Sequence, residues 1–129
     1  MWRLPISVLI IFIVWTVLDG LLHQLILRHL YDESASLWRP FGEMNVALIY
    51  IVMFILILTF VATYSLLVRP KSITAGIALG AFIGLALGIS AGFGTYIHMP
   101  IPQGLAWRWL IGGWLKGVAA GVILGAVIK

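Results

Sequence analysis

The sequence contains no cysteine. Disulfides, thiolate metal sites, iron–sulfur clusters and cysteine nucleophiles are therefore excluded. Charge is almost as scarce. Eight Lys and Arg with four Asp and Glu make up 9% of 129 residues, where a soluble domain carries about a quarter. So little charge cannot cover a water-facing globule, which points to an integral membrane protein. Enzyme signatures are also lacking. There is no phosphate loop, no His-Glu-x-x-His and no nucleophile elbow. Ser90 lies among glycines with no histidine clearly in reach, which leaves no hydrolase. The chain is expected not to be an enzyme. The net charge of +4 is spread over the ends of apolar runs. It therefore speaks for membrane orientation rather than for nucleic acid as a partner.

What the sequence does have is apolar length. Hydrophobic residues make up 63% of it, and the mean hydropathy is +1.15. Four runs stand out, at about 5–30, 44–68, 73–97 and 105–128. At 1.5 Å per residue each exceeds the ~30 Å hydrocarbon core, so tilt or protruding ends are expected. The predicted fold is all-α: one transmembrane domain over 1–129, with four helices in an up-down bundle joined by short loops. Arg69-Pro70-Lys71-Ser72 reads as a tight turn, in which Pro70 ends one helix and Ser72 caps the next. Pro100 and Pro102 mark another turn. Residues 31–43 form the only substantial loop, so successive helices run antiparallel.

Four spans put both termini on one side. That side carries Arg3, Arg69, Lys71 and Lys129 with no acid. The other side balances Arg28, Arg39 and Arg108 with Asp32, Glu33 and Glu43. The positive-inside rule then puts the termini in the cytoplasm. Trp107-Arg108-Trp109 suits an outer interfacial anchor and Trp2-Arg3 an inner one. Arg3 before an apolar stretch resembles a signal peptide. The run is too long for one, however, contains Asp19, and lacks a small-x-small cleavage site.

Glycine is patterned. Gly76, Gly80, Gly84, Gly88 and Gly92 recur every four residues in the third run, and Gly113, Gly117, Gly121 and Gly125 in the fourth. Residues i and i+4 share a helix face, so each set makes a smooth strip on which backbones approach closely. Such packing is what associates helices in lipid. The strips are expected to join spans three and four within the chain. Two other uses stay open: contact with a second copy or a partner subunit, and a bed for a flat cofactor such as a chlorin, haem or quinone. No residue marks a dedicated cofactor site, so the cofactor is left unknown.

Polar residues inside the spans carry the remaining signal. Asp19 and His23 lie four apart on one helix face. Lys116 is the other charge deep in a span. Counted from the same membrane side, Asp19 and Lys116 fall at similar depth, so they are expected to pair if spans one and four are neighbours. That would make an intramembrane polar network of Asp19, His23 and Lys116. A proton or cation path is a second use of it, since an imidazole beside a carboxylate suits proton relay. A third is a metal or proton site from His23, His98 and Glu43, whose nitrogen and oxygen donors suit zinc, copper or iron. Met44 and Met99 are soft donors that more often serve packing. Trp15 is deep enough that its N–H needs an acceptor. In the loop, Asp32 or Ser34 is placed to cap a short helix through Leu37.

Asp-x-x-x-His, followed by Ser-Leu-Trp-Arg-Pro and Glu-Met, resembles patterns in small, uncharacterised bacterial membrane proteins with four helices. The likeness covers the first third of the chain. It implies an inner-membrane location and no particular activity. The expected function is a non-enzymatic structural or accessory subunit that packs in a larger membrane complex. Its partners would be lipid and other membrane subunits, or further copies of itself. The alternative is a small oligomeric proton or metal-ion transporter using Asp19, His23 and Lys116.

Overall fold

Apolar residues with no proline beyond the first turn, where Pro5 lies and no intrahelical donor is needed, sustain four extended helices. A computed structural model describes all residues from Met1 to Lys129. Helix α1 is Arg3–Leu21, continued by a wider turn over Leu22–Ile26, and a short α2 covers Arg28–Glu33. Helix α3 is Val46–Leu67. Helix α4 is Ile73–Ile89, extended through Ser90–Gly94 into α5, Thr95–His98, and α6 is Gln103–Val127. There is no strand. Four stretches, Arg3–Ile26, Val46–Leu67, Ile73–His98 and Gln103–Val127, are long and apolar enough to cross a membrane.

Local chemistry sets the helix ends. The Asn45 side chain accepts from Leu48 N–H at 3.0 Å and starts α3. Ser72 Oγ accepts from Ala75 N–H at 3.0 Å and starts α4. Between them, the buried Tyr64 hydroxyl accepts from Ser72 N–H and donates to Ser72 C=O, both at 3.0 Å. Arg69 and Lys71 donate to the terminal carbonyls of α3 at Ser65 and Val68. Cations there satisfy orphan carbonyls and oppose the negative end of the helix dipole.

Helices α4 and α6 make the most extensive contact. They run antiparallel, with Gly76 against Gly121, Gly80 against Gly117, Gly84 against Gly113, Gly88 against Leu110 and Gly92 against Ala106. A Cβ on Gly88 would lie 2.5 Å from the Leu110 carbonyl oxygen, so the two backbones touch. Helix α1 packs on the other side of α6, where Leu22 faces Gly112. That glycine lies outside the four-residue repeat and makes its own close approach. Helix α3 is peripheral. It meets α1 chiefly and leaves Leu48, Ile49, Val52 and Ile55 exposed.

Two apolar clusters fill the interior. At the end of the bundle that carries the termini, Ile11, Trp15, Ile57, Phe60, Val61 and Leu124 pack together. At the opposite, loop end, Leu27, Leu30, Ile101, Leu105 and Ala106 do the same.

The structure alters two expectations. The first run does not continue as one helix to residue 30. Leu27 N–H bonds back to Leu22 C=O at 2.8 Å, five residues away. The widened turn ends the helix before Arg28, and α2 leaves it as a separate piece. The other three spans differ from expectation only by one or two end residues, where helix ends fray. No helix capped by Asp32 or Ser34 runs through Leu37. A single tight turn, Ala35–Leu37, stands there without a side-chain cap. The Ser34 hydroxyl is already engaged: it donates to Leu30 C=O at 2.6 Å and accepts from Trp38 Nε1 at 2.9 Å.

Candidate functional site

The polar residues of α1 and α6 meet at mid-bundle. Lys116 Nζ donates to both Asp19 oxygens, at 2.7 and 2.8 Å. The antiparallel α1–α6 contact brings the two to the same level, and a bidentate geometry offsets part of the cost of removing both charges from water. Trp15, one turn before Asp19, holds the site from beneath. Its Nε1 donates to the Lys116 main-chain carbonyl at 2.9 Å, and its ring centroid lies 4.7 Å from Lys116 Nζ. The indole thus binds the α6 backbone and also faces the ammonium with its electron-rich surface.

His23 lies one turn further toward the loop end. Its Nε2 is 3.9 Å from Asp19 Oδ1, too long for a hydrogen bond. Its close partner is Tyr31, whose hydroxyl is 2.6 Å from Nδ1, with the two rings stacked at 5.8 Å. The same hydroxyl accepts from Trp109 Nε1 at 2.8 Å. An indole N–H can only donate. Nδ1 is the one acceptor in reach of the Tyr31 proton, so the bond that leaves no phenol proton unpaired runs from Tyr31 to His23 Nδ1, and a neutral His23 then carries its own proton on Nε2, facing Asp19. An ordered series runs Trp109, Tyr31, His23, Asp19, Lys116. Trp38 packs edge-on against both Tyr31 and Trp109. Burial among these rings is the main reason the Tyr31 phenol is pushed up to about 12; the Trp109 hydrogen bond pulls the other way and the Asp19 charge adds to the rise.

Toward the end carrying the termini the series stops at Trp15, which meets Phe60 edge-on at 5.9 Å. The apolar cluster of Ile11, Ile57, Val61 and Leu124 follows, and its polar member, Tyr64, is engaged with the Ser72 main chain rather than with the series.

The other residues singled out in the sequence lie apart from this series. His98 Nδ1 bonds its own helix at Gly94 C=O, 2.7 Å away. Glu43 is exposed in the tight turn Phe41–Glu43. His23, His98 and Glu43 therefore do not assemble, and no three His, Asp or Glu side chains come together as metal ligands. His29 Nε2 accepts from Arg108 at 3.4 Å. No buried polar side-chain atom lacks a partner.

Sequence reasoning missed Tyr31, Trp38 and Trp109 as members of the site. Tyr31 follows His23 by eight residues, which an unbroken helix would place about two turns away. The wide turn and the break at Leu27 fold it back onto the imidazole. No family model, curated protein or solved structure matches the chain.

Proposed function

We propose that this chain is a non-enzymatic structural or accessory subunit integral to a bacterial inner membrane. Both termini lie in the cytoplasm, and the chain packs within a larger membrane complex. The four long apolar helices support insertion, and the excess of Arg and Lys at the end carrying the termini supports that orientation. The observation that carries the accessory role is the side of α1. Asp19 and His23 are 31% and 40% exposed there, next to Gly20, where a Cβ would meet nothing within 4 Å. Ionisable groups facing hydrocarbon are costly and are normally covered by protein. A partner helix laid over this face would cover them, and Gly20 leaves room for its backbone to come close.

The test is a photo-reactive residue at Gln24, which is exposed on the same side, followed by purification in mild detergent. Repeated crosslinking to one larger membrane protein is expected. Crosslinks to lipid alone, or only to a second copy of the chain, would overturn the proposal.

A second reading, a small oligomeric proton or metal-ion transporter using Asp19, His23 and Lys116, is favoured by one observation. The series from Trp109 to Lys116 connects the loop end with mid-bundle. It meets an apolar plug of more than one helical turn at Ile11 and Trp15, so transport requires a second path through another copy. Proton flux in reconstituted vesicles, lost in Asp19→Asn, would support this reading. No flux from well-folded protein would remove it.

A further inference from the structure

We propose that a cleft at mid-bundle binds a lipid-soluble molecule with one planar ring bearing carbonyl oxygens, the chemistry of a quinone head group. This inference does not rest on the accessory role. All four long helices contribute to a cavity of about 140 Å3. A cavity of about 150 Å3 holds benzene, so one six-membered ring with small substituents matches the space. A haem or chlorin macrocycle is far too large for it.

The shape comes from residue size. Gly84 and Gly88 of α4 and Gly113 and Gly117 of α6 line one side. With no side chains, they leave a flat backbone surface beside the α4–α6 seam. Trp15, Phe60 and Trp109 supply aromatic surfaces on the other sides, which suits stacked or edge-on contact with a planar ring. Leu56 of α3 and Leu87 of α4 also border the space, and both are exposed large apolar residues. The cleft therefore opens sideways between α3 and α4, where a ligand dissolved in the bilayer arrives without crossing water.

The polar handle is Lys116. An ammonium has three N–H donors. Two are committed to Asp19, and the residue also lines the cleft. For the third, the only other partner is the Trp15 ring face, 4.7 Å from Nζ, a weaker acceptor than a carbonyl oxygen. A ring carbonyl supplies one at this depth. The ester carbonyls of a phospholipid lie at the interface, so an acyl chain entering the cleft would leave that donor with the indole face alone.

The test is calorimetric titration of the whole chain in nanodiscs of saturated phosphatidylcholine. A short-chain benzoquinone is compared with a methylated benzene of the same outline. Saturable binding of one quinone per chain is expected, with the hydrocarbon ring at least about tenfold weaker. Ala91→Trp fills the rim of the cleft from an exposed position outside the glycine seam. It should weaken the quinone by a similar factor at unchanged helicity and melting temperature. Leu87→Trp repeats the test should Ala91→Trp fail to fold. Lys116→Met should abolish the preference for the quinone over the hydrocarbon. The proposal is overturned by an absence of saturable binding, by equal affinity for both rings, or by full affinity in a folded rim variant. Loss or recovery of a protein partner has no bearing on any of these readings.

Discussion

Adding one methyl group to the α4–α6 seam should destabilise the protein, although the same change elsewhere stabilises it. In Gly80→Ala the new Cβ would overlap the Gly117 carbonyl oxygen. It would also stand 2.8 Å from the carbonyl carbon of Gly117 and 3.1 Å from Gly121 Cα. All three obstacles are backbone, so no side chain can rotate away. Relief requires the two helices to part by roughly 1 Å, a gap that forfeits about a quarter to a half of the attraction at each neighbouring contact. Overpacking of this kind costs about 1–3 kcal/mol, and rigid obstacles favour the upper end. Replacing Gly by Ala within a helix returns roughly 1 kcal/mol. A net loss of about 2 kcal/mol follows for Gly80→Ala. Gly20→Ala is the control. Nothing lies within 4 Å of its Cβ position, so only the gain of about 1 kcal/mol remains. Reversible unfolding in mixed micelles, followed by tryptophan fluorescence, should separate the two variants by roughly 3 kcal/mol. If Gly80→Ala is as stable as Gly20→Ala, the account of the seam as backbone-on-backbone contact is wrong.

Three further outcomes are expected. Lys116→Met leaves Asp19 unpaired and should cost about 3 kcal/mol, the low end for a broken buried pair because Asp19 is partly exposed; Asp19→Leu combined with Lys116→Met should recover most of it in the same unfolding assay. Followed by phenolate absorbance, the Tyr31 phenol should titrate near 12 and vanish as a step in Tyr31→Phe. Its raised value contributes stability that is complete below the ordinary tyrosine value of about 10 and is lost as pH climbs from there through 12. Nitrogen NMR should find the neutral His23 ring protonated at Nε2, and Tyr31→Phe should yield a mixture of tautomers, because the Nδ1 acceptor then loses its donor. A ring protonated at Nδ1 in the unmodified protein would contradict the Trp109–Tyr31–His23 series.

Much of the fold could be read from spacing. Glycine at every fourth position marks which faces of α4 and α6 are smooth, and those faces meet. Counting depth from the chain ends put Asp19 level with Lys116, and the two side chains join. A deep indole needs an acceptor, and Trp15 has one. What spacing could not carry is the change of pitch at Leu22–Ile26. Residues Leu22 to Leu30 read as a continuous helix in composition, since a π turn differs from an α turn in which carbonyl is used rather than in residue type. The position of Tyr31 depends on that choice, and with it the whole neighbourhood of His23. The distance between His98 and His23 was equally hidden. Both lie near the loop end, but the His98 ring turns to its own helix at Gly94 C=O, a local bond to the carbonyl four residues back.

The bond from Trp15 to α6 has a consequence for how this protein can change over time. Its acceptor is the main-chain carbonyl of residue 116, which every amino acid possesses. The alignment of α1 on α6 is thus anchored independently of the side chain at that position. Lysine and its aspartate can be exchanged, neutralised or reversed together while the two helices keep their places. The fold and the charge at its centre are therefore separately evolvable, so descendants of this chain can acquire new chemistry at 116 without first rebuilding the bundle.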